Sequence, residues 1–219
     1  KTLILSELSD LVNLRNTKFE NNYSRALCYQ LFENNGVIKR NNIQQMIKNI
    51  SKEDRLNLRK VGIKIGRYHI FLPKMLKPNA VELRVKLWKL YFPEDKKYII
   101  PKFGLNFLKN EIKKNNKFLL ICGFENFDKF YVRVDILERF FLKIIENTKD
   151  KAFKINSDMI NLIGCSKENF FKLLELMEYK SKNKNEEFFT YKPKLIKSKK
   201  IEKAGKNNPF EKLSGLRFR

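Results

Sequence analysis

The most constraining feature of the sequence is the stretch GIKIGRYHIFLPKMLKP at residues 62–78, which interrupts a series of helical patterns with two glycines and two prolines. Its apolar side chains alternate as in a β-strand, but in two phases: Val61, Ile63 and Ile65, then Tyr68, Ile70 and Leu72. The phase slips at Gly66, where a bulge or tight turn favours a residue without a side chain. Pro73 ends the strand, and Pro78 suits a first helical turn. The stretch therefore predicts a short β-hairpin followed by a helix.

Helical patterns lie on both sides of this hairpin. Before it, residues 6–15, 21–36, 41–50 and 51–60 carry apolar side chains at helical spacing, so residues 1–60 predict a helical bundle. After it, residues 79–92 are apolar nearly all round, and we expect this helix to be buried on more than one side. The hairpin and this helix form a segment 61–116, in which the proline-containing residues 93–104 connect the two halves of the chain.

The second half, residues 117–194, predicts a winged-helix-like unit: helix, strand, helix, three-residue turn, helix and hairpin. Asp135 and Glu138 give its first helix a start that resembles a capping box. Gly164 ends the second helix, and Ser166 caps the third. Residues 195–219 predict a flexible basic tail. The predicted fold class is α+β and mainly helical.

The charge of the chain indicates a polyanionic partner. The formal net charge is +23 and the isoelectric point is near 9.9, which favours nucleic acid. The alternative is that the lysines are compositional, because the chain is also rich in Asn and Ile. No window approaches the roughly 18 consecutive apolar residues of a membrane span, so we expect no membrane partner.

The three cysteines, Cys28, Cys122 and Cys165, are far apart and lack C-x-x-C spacing, which argues against a disulfide framework and a zinc site. A reducing compartment, the cytoplasm, fits this pattern best. With a single histidine, the chain also has few residues from which a metal site or a nucleophilic relay could be built. We therefore predict no metal site in this chain.

The catalytic motifs of nucleotide hydrolysis are missing from the sequence. There is no G-x-x-x-x-G-K-[ST] phosphate loop, so these residues alone are not expected to hydrolyse ATP, and we predict no catalytic residue and no cofactor of the chain itself. GIKIG is not a dinucleotide-binding fingerprint, because the third glycine is absent. Asp135 and Glu138 suit a helix N-terminus better than an acid/base pair.

The candidate nucleic-acid contacts fall in two places. Lys64, Arg67, Tyr68, His69 and Lys77 lie in or beside the glycine- and proline-containing stretch, and Lys180, Lys182 and Lys184 lie in the C-terminal hairpin. A lone histidine in a strand is more often a hydrogen-bonded structural residue, and contact with a nucleotide beside Arg67 and Tyr68 is the alternative. The third helix of the winged unit mixes lysines with Glu168 and Glu175, which is a poor surface for reading a major groove.

Several blocks of the sequence resemble the C-terminal region of bacterial ATP-dependent helicases related to the RNA-helicase subunit of the mitochondrial RNA degradosome. The blocks are SRALCYQLFENNGVIKR, LRKVGIKIGRYHIFLPKMLKPNAVELRVKLW, VRVDILERF, INSDMINLIGCSKENFFKLLELMEY and NPFEKL, which together span roughly residues 23–213. The resemblance implies a parent enzyme that unwinds RNA with ATP and magnesium bound to motor domains upstream. None of the motor motifs lies in this chain, which begins with Lys1, and we expect it to be a fragment.

These observations favour an accessory region that binds or guides RNA, with DNA as a second substrate class. Lys and Arg side chains would contact phosphates, and Tyr68 or His69 would stack on a base. The alternative is a protein-interaction scaffold that recruits a nuclease partner, with lysines that are only compositional.

Overall fold

The structure is a computed structural model and describes residues 6–109, 115–128, 130–181 and 188–193. The fold is α+β and mainly helical, with three small antiparallel sheets, which confirms the predicted class. The predicted tail, residues 195–219, lies outside the described residues, as do Lys182 and Lys184 of the C-terminal hairpin. Within the described ranges, no helix combines the length and the apolar character needed to span a membrane.

The described residues of the N-terminal part include the helices α1 (Ser9–Asn16), α2 (Asn22–Glu33), α3 (Gln44–Lys48) and α4 (Lys52–Lys60). Asn21 caps α2, because its side chain accepts the backbone N–H of Tyr23 at 2.8 Å. Ser51 caps α4 in the same way, as its hydroxyl accepts the N–H of Asp54 at 3.0 Å. These caps place the helix starts so that one apolar face of each helix turns inward.

The first sheet confirms the predicted hairpin and adds a strand to it. Strands β1 (Val37–Lys39), β2 (Lys64–Ile65) and β3 (His69–Phe71) lie in the order β1-β3-β2. Strand β1, which has only three residues, was not predicted. It pairs with β3 across residue 60, and the buried side chains of the hairpin share a core with the N-terminal helices. The predicted segments 1–60 and 61–116 are thus joined by one hydrophobic core.

Helix α5 (Pro78–Tyr91) begins at Pro78, as predicted, but it is not buried all round. Its inner face includes Arg84, which is only 2 % exposed and donates to the backbone oxygens of Asn35 and Met75. Burial lowers the pKa of this guanidinium to about 10. Ala80 and Val85 belong to two different cores, which agrees with the predicted burial on more than one side, whereas Leu90 and Tyr91 on the outer face are 74 % and 80 % exposed.

A second sheet connects the halves of the chain. Strands β4 (Phe107–Lys109), β5 (Phe124–Phe127) and β6 (Phe130–Arg133) lie in the order β4-β6-β5, and α6 (Asn116–Ile121) packs beside β5. The predicted connector contains a 3-10 helix at Pro93–Lys97. Buried side chains of α5, α6 and this sheet share a core, which continues across the predicted boundary at residue 117.

From residue 134 onward the elements follow the predicted order of helix, strand, helix, helix and hairpin, with one additional two-residue strand that was not predicted. These elements are α7 (Val134–Asn147), β7 (Thr148–Lys149), β8 (Ala152–Lys154), α8 (Ser157–Ile163), α9 (Lys167–Leu176), β9 (Tyr179–Ser181) and β10 (Phe188–Tyr191), with strand order β7-β8-β10-β9. Gly164 ends α8 with a φ of 76°, and Ser166 caps α9 through the N–H of Asn169. Both positions agree with the sequence pattern.

Candidate nucleic-acid interface

The turn between β2 and β3 is held against α7 by a single carboxylate. Glu138 accepts the backbone N–H groups of Arg67, Tyr68 and His69 at 2.6, 2.8 and 2.8 Å. The start of α7 has no side-chain cap, so the predicted capping-box role of Asp135 and Glu138 is wrong. The spacing of Asp135 and Glu138 suggests a cap of their own helix. Glu138 instead accepts N–H groups of residues that lie about 70 positions earlier in the chain.

Gly66 is required by this contact. A methyl group at this position would overlap the carboxylate of Glu138, which would then have to move away from the backbone N–H groups that it accepts; the constraint is close approach and not a left-handed backbone. The Gly66 oxygen also accepts from the guanidinium of Arg40 at 2.7 Å. The tight turn predicted at this glycine is therefore present, and it positions Arg67 and Tyr68 at the surface of α7.

His69 is part of a buried charged network. Its Nε2 lies 2.6 Å from Oε2 of Glu125, its Nδ1 lies 3.7 Å from Oε1 of Glu138, and the ring is only 1 % exposed. Lys39 contacts the other oxygen of Glu125 at 2.5 Å. This burial is not compatible with the predicted contact between His69 and a nucleotide. It agrees with the other interpretation, in which His69 is a hydrogen-bonded structural residue.

The network shifts the pKa values of its members in opposite directions. Burial by itself lowers the pKa of His69, but the hydrogen bond to Glu125 and the nearby Glu138 carboxylate outweigh it and raise that pKa above 6.5. Burial by itself raises the pKa of Glu125, but His69 and Lys39 hold it below 4.5. The imidazolium and the carboxylate therefore stabilise each other.

These directions predict a pH window of maximum stability. The contribution of His69 is fully present below about pH 6.5 and is lost as the pH rises through its folded pKa, whereas that of Glu125 is lost as the pH falls through its own folded pKa. The free energy of unfolding, measured by urea titration across the pH range, should exceed that of a His69→Gln variant most between about pH 4.5 and 6.5. A difference that is constant from acid to alkaline pH would contradict the network.

An aromatic groove lies between the hairpin turn and the C-terminal unit. Tyr68 meets the ring of Phe141 edge-on with centroids 5.8 Å apart, and the guanidinium of Arg67 lies 5.9 Å from the same ring. Across the groove, the rings of Tyr179 and Tyr191 are 5.5 Å apart, and Tyr191 is 46 % exposed. The cavity measures about 690 Å³ and is also lined by Arg40, Gln44, Phe127, Lys151 and Phe153.

A basic groove continues from it on the other side of Arg67. This second cavity, also of about 690 Å³, is lined by two carboxylates, Asp135 and Glu138, and by five cationic side chains: Arg40, Arg59, Lys64, Arg67 and Arg139. In the part of the chain that the structure describes, no carboxylate lies within 4 Å of Arg59, Lys64 or Arg139. Arg40, Arg67 and Phe141 line both grooves, which therefore form one continuous surface.

The predicted site residues are distributed over this surface unevenly. Lys64 and Arg67 line the basic groove, and Tyr68 lines the aromatic groove. Lys77 lies in a separate, smaller cavity that it shares with Lys64. Lys180 is exposed on β9 and lines none of these three cavities.

The sequence analysis missed many residues of the interface, among them Arg40, Arg59, Arg139, Phe141 and Tyr191. Each belongs to a pattern that has an ordinary structural interpretation. Arg59 and Arg139 are exposed positions of amphipathic helices, and Phe141 and Tyr191 follow the apolar periodicity of their elements. Only the packing of α7 against the hairpin turn brings them together.

The described residues contain no group of three or more His, Cys, Asp or Glu side chains arranged to hold a metal ion, and none of the three cysteines forms a disulfide bond. Cationic and aromatic side chains are prominent in the lining of the two grooves. Comparison with models of protein families, with curated proteins and with solved structures finds no match to this chain.

Proposed function

We propose that this chain binds single-stranded nucleic acid, RNA foremost, along the basic and aromatic grooves, as the accessory region of an ATP-dependent helicase. The observation that carries the proposal is the junction at Arg67, where a groove of five cations meets a groove of aromatic rings. A strand needs both features, because its backbone is a line of charges and its unpaired bases present flat apolar faces.

The mechanism follows from the side chains on each side of the junction. Arg59, Lys64 and Arg139 are not neutralised by described carboxylates, so they are available to phosphate oxygens. Tyr191 and the partly exposed Tyr68 offer ring faces to bases, in a manner that tolerates every base. The chain would thus hold a strand without reading its sequence.

The third helix of the winged unit favours a single strand over a duplex. In α9, Lys172 is engaged by Glu168 four residues earlier, and Glu175 is exposed on the same helix. Acidic side chains next to the lysines repel phosphates and offer few donors to base edges. The unit therefore contributes its hairpin and α7 side, through Tyr191 and Phe141, rather than a recognition helix in a groove.

The helicase assignment rests on the resemblance of the sequence blocks and not on the grooves. In that proposal ATP and magnesium are bound by motor domains outside this chain, and the chain itself performs no catalysis. The grooves would receive or guide the strand near the motor, in the cytoplasm. Phosphate contact and base stacking suit RNA and DNA alike. The preference for RNA therefore rests, like the helicase assignment, on the resemblance of the sequence blocks.

A second candidate function, a scaffold for a nuclease partner, is favoured by the outer face of α5. Leu87, Leu90 and Tyr91 are 41 %, 74 % and 80 % exposed along one side of the helix, and Ile99 is 83 % exposed nearby in the chain. Such a stripe is typical of a docking surface for a protein. A Leu90→Ser variant that loses a purified nuclease partner but retains RNA would separate the two functions.

The salt dependence of RNA binding tests the leading proposal. Binding of a fluorescent single-stranded oligouridine should weaken with a slope of about −2 to −3.5 in log affinity against log salt, because three to five cations would release counterions. The measurement is fluorescence anisotropy over about 50 to 300 mM salt. An affinity that stays constant over this range would contradict phosphate contact by the basic groove.

A further inference from the structure

The smaller cavity that contains Lys77 adjoins the basic groove, with which it shares Lys64 and Arg139, and it extends to residues that line neither groove. It measures about 270 Å³ and lies among the start of α5, the start of α7 and the loop around residues 100–105. Five cationic side chains from different elements line it: Lys64, Lys77, Lys102, Arg133 and Arg139. Its one lining carboxylate, Asp135, accepts both arms of the Arg133 guanidinium at 3.0 and 2.8 Å.

The remaining cations of this pocket have no described carboxylate partner. Lys64, Lys77, Lys102 and Arg139 are exposed at its rim, with no described carboxylate within 4 Å of them. Four like charges around one concavity repel each other, and an anion in the concavity relieves that repulsion.

The walls of the pocket are apolar, which limits what the anion can be. Phe71, Val81 and Phe124 line the interior together with Pro101. A volume of about 270 Å³ lies just below the range of about 300–1,000 Å³ typical of small-molecule sites, so the pocket has room for a small group. A continuous strand does not fit such a concavity, whereas the end of a strand or a free nucleotide does.

We propose that this pocket binds a terminal phosphate monoester, with the phosphate among Lys64, Lys77, Lys102 and Arg139 and the attached sugar against the apolar wall. A monoester carries about −1.5 to −2 charges at neutral pH, more than the single charge of each phosphodiester in a strand. The pocket thereby selects ends over internal phosphates. The ligand chemistry is shared by the 5′-phosphate of an RNA strand and by a free nucleoside monophosphate, and it does not depend on RNA binding in the grooves.

Calorimetric titration of the whole chain with AMP and with adenosine tests the pocket directly. The two probes differ only in the phosphate, and AMP should bind at least about tenfold more tightly. A Lys77→Ala/Lys102→Ala variant should lower AMP affinity at least about fivefold. Lys86→Ala, a lysine on the exposed side of α5 that lines none of these cavities, should leave it unchanged.

A second comparison separates the two sources of the phosphate. An oligouridine with a 5′-phosphate should bind more tightly than the same strand with a 5′-hydroxyl, and the difference should vanish in the Lys77→Ala/Lys102→Ala variant. A free nucleotide is the ligand if AMP binds and the two strands do not differ; a strand end is the ligand if only the strands differ. The proposal is overturned if AMP binds no better than adenosine and the strands bind equally, even where groove binding of RNA persists.

Discussion

Replacement of Glu138 by alanine is expected to lower the free energy of unfolding by about 3 kcal/mol. Glu138 accepts three consecutive backbone N–H groups, at Arg67, Tyr68 and His69, and the variant would leave all three without an acceptor. It would also remove the second carboxylate beside the buried His69 ring. The measurement is urea denaturation followed by circular dichroism.

The same variant should weaken RNA binding, because the turn that Glu138 holds is the one that carries Arg67 and Tyr68 into the two grooves. Glu138→Gln retains one acceptor oxygen and should fall between the wild type and alanine in stability. Glu146→Ala, an exposed acid of the same helix, is the matched control and should change stability by less than about 0.5 kcal/mol. A Glu138→Ala protein as stable as this control would refute the role of the carboxylate.

Reversal of two groove charges should weaken single-stranded RNA binding by at least about 30-fold at low salt. The variant Arg59→Glu/Arg139→Glu places two carboxylates in the basic groove, on exposed side chains whose exchange leaves the core intact. Repulsion of the strand then replaces two attractive contacts. The measurement is fluorescence anisotropy with the oligouridine used for the salt series.

A second double variant distinguishes a site from a diffuse positive field. Lys86→Glu/Lys96→Glu lowers the formal net charge of +23 by the same amount, but these two lysines line neither groove. This second variant should weaken RNA binding by less than about fivefold. If both double variants weaken binding equally, the lysine-rich composition alone attracts RNA, and the compositional interpretation of the charge is correct.

The local parts of the fold could be predicted because their causes are local. The hairpin at residues 62–72 follows from alternation, from Gly66 and from Pro73, and each of these acts within a few residues. The caps at Ser51 and Ser166 follow from the short reach of a hydroxyl to the N–H three residues on. Strand β1 was missed because three residues are too few to establish a period.

The site could be predicted only in part, because its geometry depends on long-range packing. Arg67 and Tyr68 were found because they lie in the hairpin turn itself. The clamp from Glu138 and the pairing of His69 with Glu125 join residues more than 50 positions apart, and spacing within one helix suggests a cap instead. Arg59 and Arg139 are ordinary exposed arginines until α7 packs beside the hairpin.

The exposed side of α5 could not be located from the sequence. Ala80 and Val85 lie in two different cores, in agreement with the expected burial on more than one side, yet Leu90 and Tyr91 stay in solvent. When a helix is apolar nearly all round, the spacing of its apolar residues does not identify the face that packs against the rest of the protein.

Photocrosslinking of a 4-thiouridine oligonucleotide to the intact chain, with the sites identified by mass spectrometry, tests the central claim most directly. The account predicts crosslinks at the aromatic groove, on Tyr68, Phe141 or Tyr191, which are lost in the Arg59→Glu/Arg139→Glu variant. Crosslinks confined to the exposed face of α5 or to residues 194–219, with none in the grooves, would contradict it.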